Sequence, residues 1–600
     1  MVINTVTVFH DMTLDFNLKI KTNKDIMDIS HIQWLTKKLR VTFSILILLL
    51  TTHLVAGTTI TILETSDLHG FIHDWDFYSN SQYDQGLAMV ETIVREERMS
   101  DPDLVLLDGG DTFQGTPLLY YYNIIKPDSS NPMAIAMNAM NYDAMTIGNH
   151  DYNYGQIVLD KIIGELNFPA MSANIRDDQG DEKYTPYLIK TVKGVRIGIL
   201  SLTTTGIPVW ENPANIEGLQ FNDAIETAIE YVPRMKAEGA EVIIALAHSG
   251  THLEPENSRD AQSWMTPVSQ WVDKGYADVP DQNFVIKLAE SVPEIDVIMA
   301  GHAHSTIPQS FINGVLVVEP AYWGRGICKV TIMYDGVKVT SKQGEFISVK
   351  GKTADVDIIQ LTDEYQSTAV NYINSPAGYA TLPFDGGDQA RIQDTPLVDF
   401  LNTIQLEMAS RAGYPAQIAL AAVFNNSGGF EEGTITIADV YKIYQYDNTL
   451  YVLEITGDIL RRALEHNAQY WNQLELQKPN DVTIESLKSG NTRDYNWDMY
   501  SGVDYVLDLT KPIGQRVVYL ELDSQPIKPD QKLVLAINNY RAGGGGGYSM
   551  FKEGKILWQS QSVIRDFMVD YIYETQILDP DDYYNENWHL IPEWIQDLPK

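Results

Sequence analysis

Acidic, amide and imidazole side chains recur in five short clusters along the first half of the chain. In chain order these are Asp67 and His69, then Asp111, then Asn149, His150 and Asp151, then His248, and finally His302 and His304. Such donors suit borderline divalent ions such as Mn, Zn, Fe or Co, and the set has no thiolate of the kind that holds a structural zinc ion. Two ions about 4 Å apart that share one carboxylate would clamp the attacking and departing oxygens of a displacement at phosphorus. The clusters therefore predict a two-metal centre for phosphate esters.

The same half of the chain alternates short apolar runs with polar breaks and helical stretches. The runs, rich in β-branched and aliphatic side chains, are residues 60–63, 104–107, 195–200, 242–246 and 297–299. This alternation predicts a layered α/β domain with buried sheets. Each cluster lies just past the carboxyl end of a predicted strand, which is the edge where open α/β sheets place their ligands. We therefore expect the five clusters to converge at one site.

A single histidine in this context carries little weight. His248, for example, follows an apolar run, and such a histidine is more often a core or loop residue than a metal ligand. Five clusters that each follow a predicted strand make metal binding the better interpretation of these histidines. His73 and His252 match no cluster, so we expect them on the surface or behind the ligands.

The length of 600 residues exceeds what one hydrophobic core supports, so at least two domains are expected. The predicted segments are a leader and signal peptide (1–57), a first α/β domain (58–351), a connector (352–387), a second α/β domain (388–575) and a tail of unclear role (576–600). In the second domain, residues 396–408 show helical spacing and residues 449–455 alternate as in a strand.

The composition excludes some partners. The 80 acidic and 43 basic side chains give a formal net charge of −37, which repels nucleic-acid polymers and anionic lipids. The single cysteine, Cys328, has no partner for an internal disulfide, so we expect the fold to depend on core packing and metals.

The N-terminal region has the order of a secretory signal peptide. Basic residues within 37–40 precede the apolar run 41–50, and small residues follow up to Gly57. Threonines and His53 interrupt this region before it reaches the roughly 20 apolar residues of a membrane span. No stable span is therefore expected, and an uncleaved anchor is the alternative. Translation from Met27 would shorten the long leader. We expect an exported protein that is periplasmic, at the cell surface or secreted.

The order of the motifs, Asp-x-His, Gly-Asp, Gly-Asn-His-Asp, His and Gly-His-x-His, resembles that of the calcineurin-like metallophosphoesterases. The chain from about Thr59 to Phe567 is similar to the 5′-nucleotidase family of these enzymes. The resemblance implies an N-terminal four-layered αββα metallophosphoesterase domain and a C-terminal α/β nucleotide-binding domain. It also implies two divalent metal ions with Asp111 between them, one ion held by Asp67, His69 and His304 and the other held by Asn149, His248 and His302.

His150 matches the catalytic histidine of the family, which lies beside the metals but does not bind them. As an imidazolium ion it would stabilise charge on the transferred phosphoryl group and protonate the leaving oxygen. Some members of the family pair this histidine with an aspartate three residues later, where this chain has Asn153. The partner of His150 therefore stays open, and the adjacent Asp151 is an alternative.

The second domain contains two segments that resemble the base-binding loops of the family. Tyr446 and Asn448 lie in one segment, and Tyr540 lies in the other. Stacking between two aromatic rings tolerates any base, because every base has a π-face. Most of the 33 tyrosines of the chain must serve packing or the surface, so this prediction rests on the resemblance.

Two further stretches, residues 495–505 and 511–517, resemble the branch of the family that opens 2′,3′-cyclic nucleotides and dephosphorylates 3′-nucleotides. The 5′-nucleotidase and UDP-sugar hydrolase branch, and some cyclic phosphodiesterases, have an arginine just after a Gly-Gly turn, whereas Phe430 follows Gly429 in this chain. We predict a 2′,3′-cyclic-nucleotide 2′-phosphodiesterase and 3′-nucleotidase that scavenges nucleotides. A 5′-nucleotidase or UDP-sugar hydrolase is the alternative, and a non-catalytic surface binding protein is the third hypothesis.

Overall fold

The described part of the computed structural model comprises residues 57–77, 80–258, 262–272, 281–425, 428–490 and 492–598. The predicted leader and signal peptide lie outside the described residues, apart from Gly57. None of the helices in these described ranges is both long enough and apolar enough to cross a membrane.

The first domain is built on two six-stranded sheets. In chain order its strands are β1 Thr58–Thr65, β2 Trp75–Asp76, β3 Ser81–Gln82, β4 Val105–Asp108, β5 Ala144–Thr146, β6 Ala170–Met171, β7 Ile175–Arg176, β8 Tyr187–Val192, β9 Val195–Thr203, β10 Gln220–Phe221, β11 Val242–His248, β12 Val297–Ala300, β13 Thr306–Ile312, β14 Val315–Pro320, β15 Gly326–Tyr334 and β16 Val339–Ser348. One sheet has the order β16-β15-β1-β4-β5-β6, and the other has the order β13-β14-β12-β11-β9-β8. Strands β1, β4, β5 and β6 run parallel, as do β9, β11, β12 and β14.

Helices cover the outer faces of both sheets. They are α1 Leu87–Ser100, α2 Pro117–Tyr120, α3 Pro132–Ala139, α4 Gly155–Glu165, α5 Ile207–Trp210, α6 Ala224–Ala237 and α7 Val285–Ser291, together with a π-helix at Tyr121–Ile125. On β1, Ile60 and Ile62 pack between the two sheets, whereas Leu63 packs against the helices. On β11, Ile244 packs between the sheets and Ile243 faces the second helical layer. This alternation gives four layers in the order α, β, β, α and confirms the predicted layered α/β domain.

The predicted connector contains a long helix that packs on the first domain. Helix α8, Val356–Ile373, begins after Asp355, whose carboxylate accepts hydrogen bonds from the N–H groups of Asp357 and Ile358 at 3.0 and 3.1 Å. Ile358 and Ile373 of this helix lie in the core of the first domain. The stretch between the domains therefore helps to stabilise the first of them.

The second domain is a mixed α/β structure around a five-stranded sheet. Its strands are β17 Pro376–Ala380, β18 Ile418–Ala422, β19 Gly433–Thr436, β20 Thr449–Thr456, β21 Asp498–Ser501, β22 Asp504–Asp508, β23 Val517–Leu522, β24 Gln525–Pro526, β25 Lys532–Asn538, β26 Lys555–Val563, β27 Ile577–Leu578 and β28 Trp588–Ile591. They form sheets with the orders β21-β18-β25-β20-β26, β19-β17-β27 and β24-β23-β22-β28. Its helices are α9 Gln389–Ile392, α10 Pro396–Arg411, α11 Ile437–Ile443, α12 Gly457–Asn467, α13 Ile484–Leu487, α14 Asn539–Ala542 and α15 Ile564–Thr575. Apolar cores lie on both faces of the five-stranded sheet, with Leu420 in one core and Ala421 in the other.

The C-terminal stretch, whose role the sequence leaves open, is part of the second domain. Strand β28 pairs in parallel with β22, and Trp588 lies in the core. Two buried carboxylates, which we call the tail clamp, hold the backbone around the start of β28. Asp399 accepts a hydrogen bond from the N–H of Asn585 at 2.8 Å, and Asp394 accepts one from the N–H of Asn587 at 3.0 Å. The stretch therefore adds both strands and core residues to the domain.

The tail clamp predicts a stability contribution that falls as the pH rises. Burial raises the pKa of Asp394 to about 7, and the charge of Asp399 adds to the rise. Burial also raises the pKa of Asp399 to about 6. A carboxyl group with a raised pKa in the folded state stabilises the fold fully below its unfolded pKa near 4, and this contribution is lost as the pH rises through the folded pKa.

We therefore expect the apparent melting temperature of Asp394→Asn to rise relative to the wild type between about pH 5 and about pH 8, because asparagine avoids a buried charge. One pKa unit corresponds to about 1.4 kcal/mol, so the relative gain should be on the order of 1–4 kcal/mol. Thermal unfolding at several pH values measures it. Asp530→Asn, at an exposed position, is the control. A difference that stays constant with pH would show that the clamp does not titrate in this range.

Candidate metal centre

Parallel strands of both sheets bring the predicted ligand clusters to one edge of the first domain. Strand β1 ends at Thr65, just before the first cluster, and β11 ends at His248 itself. The loops after parallel neighbours meet, because the carboxyl ends of such strands lie side by side. The backbone N–H of Asp67 donates to the carbonyl of Gly110 at 2.9 Å, which joins the loop after β1 directly to the loop after β4.

The backbone of these loops adopts a rare conformation. Positive φ angles, which residues other than glycine seldom adopt, occur at Asp67 (52°), His69 (48°), Asp111 (56°), His302 (73°) and His304 (55°). Each such residue costs on the order of 1–3 kcal/mol and persists only where the surrounding structure fixes it. Strain of this kind clusters at functional sites, so the backbone marks these loops as a binding centre.

One group of possible ligands consists of Asp67, His69 and His304, whose donor atoms lie within 4.8 Å of one another. Nε2 of His304 is 3.4 Å from Oδ1 of Asp67 and 3.3 Å from Nε2 of His69. The backbone N–H of His302 lies 3.2 and 3.0 Å from the two carboxylate oxygens of Asp67, which fixes this carboxylate. These are the three residues that the resemblance assigns to the first ion.

A second group consists of Asp111, His248 and His302. Nε2 of His248 is 3.0 Å from Oδ2 of Asp111 and 3.1 Å from Oδ1 of Asn149. Gly148 permits this approach, because a Cβ atom at that position would lie 2.2 Å from Oδ1 of Asp111. The structure thus brings together the residues that the resemblance assigns to the second ion and to the bridge.

The hydrogen bonds behind the ligands fit divalent ions. Nδ1 of His69 lies 2.8 Å from the carbonyl oxygen of Gln114, and Nδ1 of His248 lies 2.7 Å from that of Gly109. A carbonyl only accepts, so each Nδ1 carries a proton and the Nε2 of each ring faces its ligand group, which is the orientation that a metal-binding imidazole needs. Buried lone pairs and carboxylate oxygens that face one another repel, and a cation between them removes the repulsion. The donor set therefore fits two divalent ions.

The pKa values of the predicted ligands are set by two opposing effects, burial and the charges of neighbouring groups. Burial raises the pKa of Asp67, but the hydrogen bond and charge of His304 outweigh burial and lower it to about 2. Burial lowers the pKa of His248, but the charge and hydrogen bond of Asp111 outweigh burial and raise it to about 10. A proton on His248 thus takes the position that a metal cation would hold beside Asp111. Burial lowers the pKa of His69 to about 4, which keeps this ring neutral, as a metal ligand must be.

Asp151 lies under the loops, where it has a structural role. Its buried carboxylate accepts hydrogen bonds of 2.8–3.1 Å from four backbone N–H groups, those of Asp111, Thr112, Phe113 and Gly148. In the described part of the chain, the His150 ring makes no hydrogen bond to Asp151. The catalytic role considered for Asp151 therefore does not fit the structure, because its carboxylate is used to join two metal-binding loops through their main chains.

His150 has Asn153 as its partner. Nδ1 of His150 is 2.7 Å from Oδ1 of Asn153, and the His150 ring centroid is 5.4 Å from that of His69. The backbone N–H of His150 donates to Oδ1 of Asp111 at 2.7 Å. Behind it, the Asn153 amide donates to Oε2 of Glu211 at 2.6 Å. Glu211 could not be predicted from the sequence, because no motif marks it and it lies 58 residues from Asn153.

The segment around Tyr446 contacts the first domain. The ring of Tyr446 is 38% exposed. The next residue, Asp447, accepts a hydrogen bond from Nε2 of Gln114 at 2.5 Å, and Gln114 is the residue whose carbonyl holds His69. The amide of Asn448 lies 3.4 Å from the hydroxyl of Tyr444 inside the second domain. One predicted base-binding segment is therefore next to the first ligand group.

The segment around Tyr540 also contacts the first domain, within the compact unit Thr59–Lys600. The amide of Asn539 donates to the carbonyl of Trp210 at 2.9 Å, and the Trp210 ring centroid is 5.4 Å from that of His302. This segment therefore lies on the side of the second ligand group. The stacking of a base between Tyr446 and Tyr540 stays a prediction.

The remaining histidines of the first domain lie apart from the two ligand groups found among the described residues. Nε2 of His73 lies 2.9 Å from the hydroxyl of Thr362 on α8, in a buried contact. His252 is exposed. Neither joins a ligand group.

Comparison with known proteins points in the same direction. The model of calcineurin-like phosphoesterases matches residues 60–306, and the model of the 5′-nucleotidase C-terminal domain matches residues 376–553. The chain is 30% identical to a trifunctional nucleotide phosphoesterase protein of Bacillus subtilis, over 89% of this chain and 39% of that protein. It therefore spans well under half of the Bacillus relative.

Two more relatives match over most of their own length. A 2′,3′-cyclic-nucleotide 2′-phosphodiesterase/3′-nucleotidase of Haemophilus influenzae is 29% identical, over 88% of this chain and 87% of that protein. The crystal structure of a Staphylococcus aureus protein provisionally named a 5′-nucleotidase is 25% identical, covers 89% of this chain and 100% of that chain, and superposes with a TM-score of 0.76. Both resemblances extend across the two domains.

Asp111 should be the ligand that is hardest to replace, since a bridging carboxylate serves both ions. We expect Asp111→Asn to bind clearly fewer metal ions per chain and to lose more activity than the about 10- to 100-fold typical of residues that only support ligands. Metal analysis after gel filtration measures the first effect. Asp143→Asn is the matched control, because Asp143 is partly buried in the same domain and pairs with Lys190 at 2.8 Å, outside both ligand groups. Unchanged metal content in Asp111→Asn would rule out the bridge.

Proposed function

Because the chain belongs to the 5′-nucleotidase family of calcineurin-like phosphoesterases, we propose that it hydrolyses 2′,3′-cyclic nucleotides and 3′-nucleotides in nucleotide scavenging. The observation that carries the proposal is the meeting of two ligand groups next to His150 at one edge of the paired sheets. Both reactions are displacements at phosphorus, which such a centre suits. The Haemophilus relative is named for both activities, which supports assigning them to one site.

Seven side chains would hold the two divalent ions: Asp67, His69 and His304 for one, Asn149, His248 and His302 for the other, and Asp111 for both. When bound, the ions supply Lewis acidity that neutralises phosphate charge and lowers the pKa of water. The donor set suits Mn, Zn, Fe or Co. Fixed backbone conformations hold the ligands in place before substrate arrives.

His150 would handle the proton of the leaving group. Its Nδ1–H donates to Asn153, which leaves Nε2 for the substrate. In the cyclic substrate, water would attack phosphorus and lose one proton to solvent, the bond from phosphorus to O2′ would break, and Nε2 of the imidazolium would give its proton to O2′. In the 3′-nucleotide the same transfer goes to O3′. The positive charge of the ring also stabilises the phosphoryl oxygens.

The second domain would bind the nucleoside. We assign the base to Tyr446 and Tyr540, with Asn448 as a further contact, because these segments resemble base-binding loops and both touch the metal-bearing domain. Asp447 and Asn539, their neighbours, make these contacts. A base held there would lie on the same side of the molecule as the two ligand groups.

A 5′-nucleotidase activity is the second candidate, supported by the name of the Staphylococcus relative. The structure offers an argument against it at Phe430, where the resemblance leads one to expect an arginine near substrate. Phe430 is buried in the core, with its ring centroid 5.7 Å from those of Phe384 and Phe400. This position therefore supports the fold of the second domain and provides no charge for a 5′-phosphate.

We further propose that the protein is exported, to the periplasm, the cell surface or the medium. The basic, apolar and small residues in the order found before Gly57 support this proposal. N-terminal sequencing of the mature chain would test it.

Substrate preference distinguishes the candidate functions. With added Mn²⁺, we expect phosphate-ester hydrolysis of 2′,3′-cyclic AMP and 3′-AMP with a kcat/KM at least about tenfold above that for 5′-AMP, a difference of about 1.4 kcal/mol in transition-state binding. Phosphate release, with a coupled phosphatase for the ring-opening step, measures it. The opposite preference would identify a 5′-nucleotidase, and absence of metal-dependent hydrolysis of all three would identify a binding protein. A chelator provides the control for the metals.

Tyr446→Ala and Tyr540→Ala should each raise KM for nucleotides by about 5- to 100-fold, since one stacked ring contributes about 1–3 kcal/mol. Hydrolysis of bis-p-nitrophenyl phosphate, which has no base, should change little. Tyr414→Ala is the matched control, because Tyr414 is 40% exposed and stacks on Trp558 in the same domain. Equal losses on both kinds of substrate would mean that the two tyrosines support the fold.

A further inference from the structure

A chain of hydrogen bonds leads from His150 to a buried carboxylate. Nδ1 of His150 is 2.7 Å from Oδ1 of Asn153, and Nδ2 of Asn153 is 2.6 Å from Oε2 of Glu211. Glu211 is 8% exposed and follows directly on helix α5. The chain therefore connects a half-buried imidazole beside the metal centre to a carboxylate that is shielded from solvent.

The other oxygen of Glu211 is fixed as well. Its Oε1 accepts hydrogen bonds from the backbone N–H of Asn212 at 2.7 Å and from Nδ2 of Asn215 at 2.9 Å. Nδ2 of Asn215 also lies 3.1 Å from the backbone carbonyl of Asn153. Three donors thus surround the carboxylate, as a buried charge requires. Glu211 cannot rotate without breaking these contacts.

The chemistry of the groups settles the direction of each hydrogen bond. A carboxylate only accepts, so Asn153 must turn its NH₂ group towards Glu211 and its carbonyl oxygen towards His150. That oxygen also only accepts, so Nδ1 of His150 must carry a proton. Nε2 is then the nitrogen left for the substrate. Without Glu211, the Asn153 amide could turn over and donate its NH₂ group to Nδ1 of His150. The neutral ring would then carry its proton on Nε2.

We propose that Glu211 is a positioning residue that fixes the Asn153 amide and, through it, the tautomer and ring orientation of His150. The proposal rests on the proposed function in one respect, since it takes His150 as the group that protonates the leaving oxygen. In this chain the Glu211 carboxylate orients the histidine indirectly, through the Asn153 amide. An aspartate in direct contact with the histidine would orient it in the same way.

Glu211→Gln tests the proposal with little change of shape. Glutamine can donate as well as accept, so the Asn153 amide is no longer held in one orientation. We expect kcat for 3′-AMP to fall by about 10- to 100-fold, the usual effect of losing a group that orients a functional histidine. KM and metal content should stay near the wild-type values. Hydrolysis of p-nitrophenyl phosphate should change little, because nitrophenolate departs without a proton.

A second substitution separates positioning from general damage. Adding Asn153→Asp to Glu211→Gln places a carboxylate directly beside Nδ1, where it again forces the proton onto that nitrogen, and it should restore most of kcat for 3′-AMP. Glu91→Gln is the matched control, since Glu91 is also buried in the same domain but pairs with Arg95 on helix α1. Glu91→Gln should lower stability, but any change in kcat should be the same for 3′-AMP and for p-nitrophenyl phosphate.

A spectroscopic measurement keeps the inference independent of the nucleotide assay. In the zinc-loaded protein with ¹⁵N-labelled histidine, at a pH high enough to remove the second proton of the imidazolium ion, the His150 ring should keep its remaining proton on Nδ1, with the signal assigned by its loss in His150→Ala. Glu211→Gln should give a mixture of tautomers. A wild-type His150 protonated on Nε2 alone, or equal losses of Glu211→Gln on both substrates, would overturn the positioning role. Absence of nucleotide hydrolysis by the wild type would count against the proposed function only.

Discussion

The loops at the carboxyl ends of the strands in the first domain hold many hydrogen-bond acceptors close together in a buried space. Few donors lie between these acceptors, and the rest of the site depends on this constraint. Carboxylate oxygens and imidazole nitrogens of the two ligand groups lie as close as 3.0–3.4 Å, and they repel one another unless a proton, as on His248, or a metal cation lies between them. The surrounding main chain resists this repulsion. Asp151 joins two loops through four backbone N–H groups, and five of the seven predicted ligands adopt positive φ angles that the loops fix. Folding and metal binding are therefore coupled, because the ions remove a repulsion that the fold must otherwise bear.

The convergence of the predicted ligand residues could be expected from the sequence for a physical reason. Each lies in or just after a strand, so the alternation of apolar residues that defines the strand also places the ligand, as at His248 on β11. Contacts that join distant segments without a motif could not be predicted from the sequence. Glu211 could not be found, because a single glutamate carries no sign that it will be buried beside Asn153. Adjacency in sequence to His150 also says nothing about the contacts of the Asp151 carboxylate, which accepts from backbone N–H groups and not from the His150 ring.

In the second domain, too, the sequence predicts the regular elements but not the contacts between distant segments. Its strands and helices could be predicted where periodicity is clear, as in β20 and α10. The C-terminal stretch has no such period, and its place in the fold is set by tertiary contacts alone. Trp588 fills the core, and the carboxylates of Asp394 and Asp399 bind backbone N–H groups nearby. Contacts of this type depend on where distant strands pair, which composition does not reveal.

The buried carboxylate of Asp447 links the two domains between the first ligand group and the segment around Tyr446. Asp447 forms an ion pair with Arg565 inside the second domain, and the charge of Asp447 helps to raise the pKa of Arg565 against burial. The same carboxylate accepts from Gln114, whose carbonyl oxygen accepts from His69. Removing one partner of a buried ion pair typically costs about 3–5 kcal/mol, so Arg565 holds the Asp447 carboxylate firmly in place within the second domain. A single residue, Gln114, therefore touches both a metal ligand and the segment that carries Tyr446. In the proposed binding mode, with the phosphate at the ligand groups and the base at Tyr446, this contact would set the distance between phosphate and base.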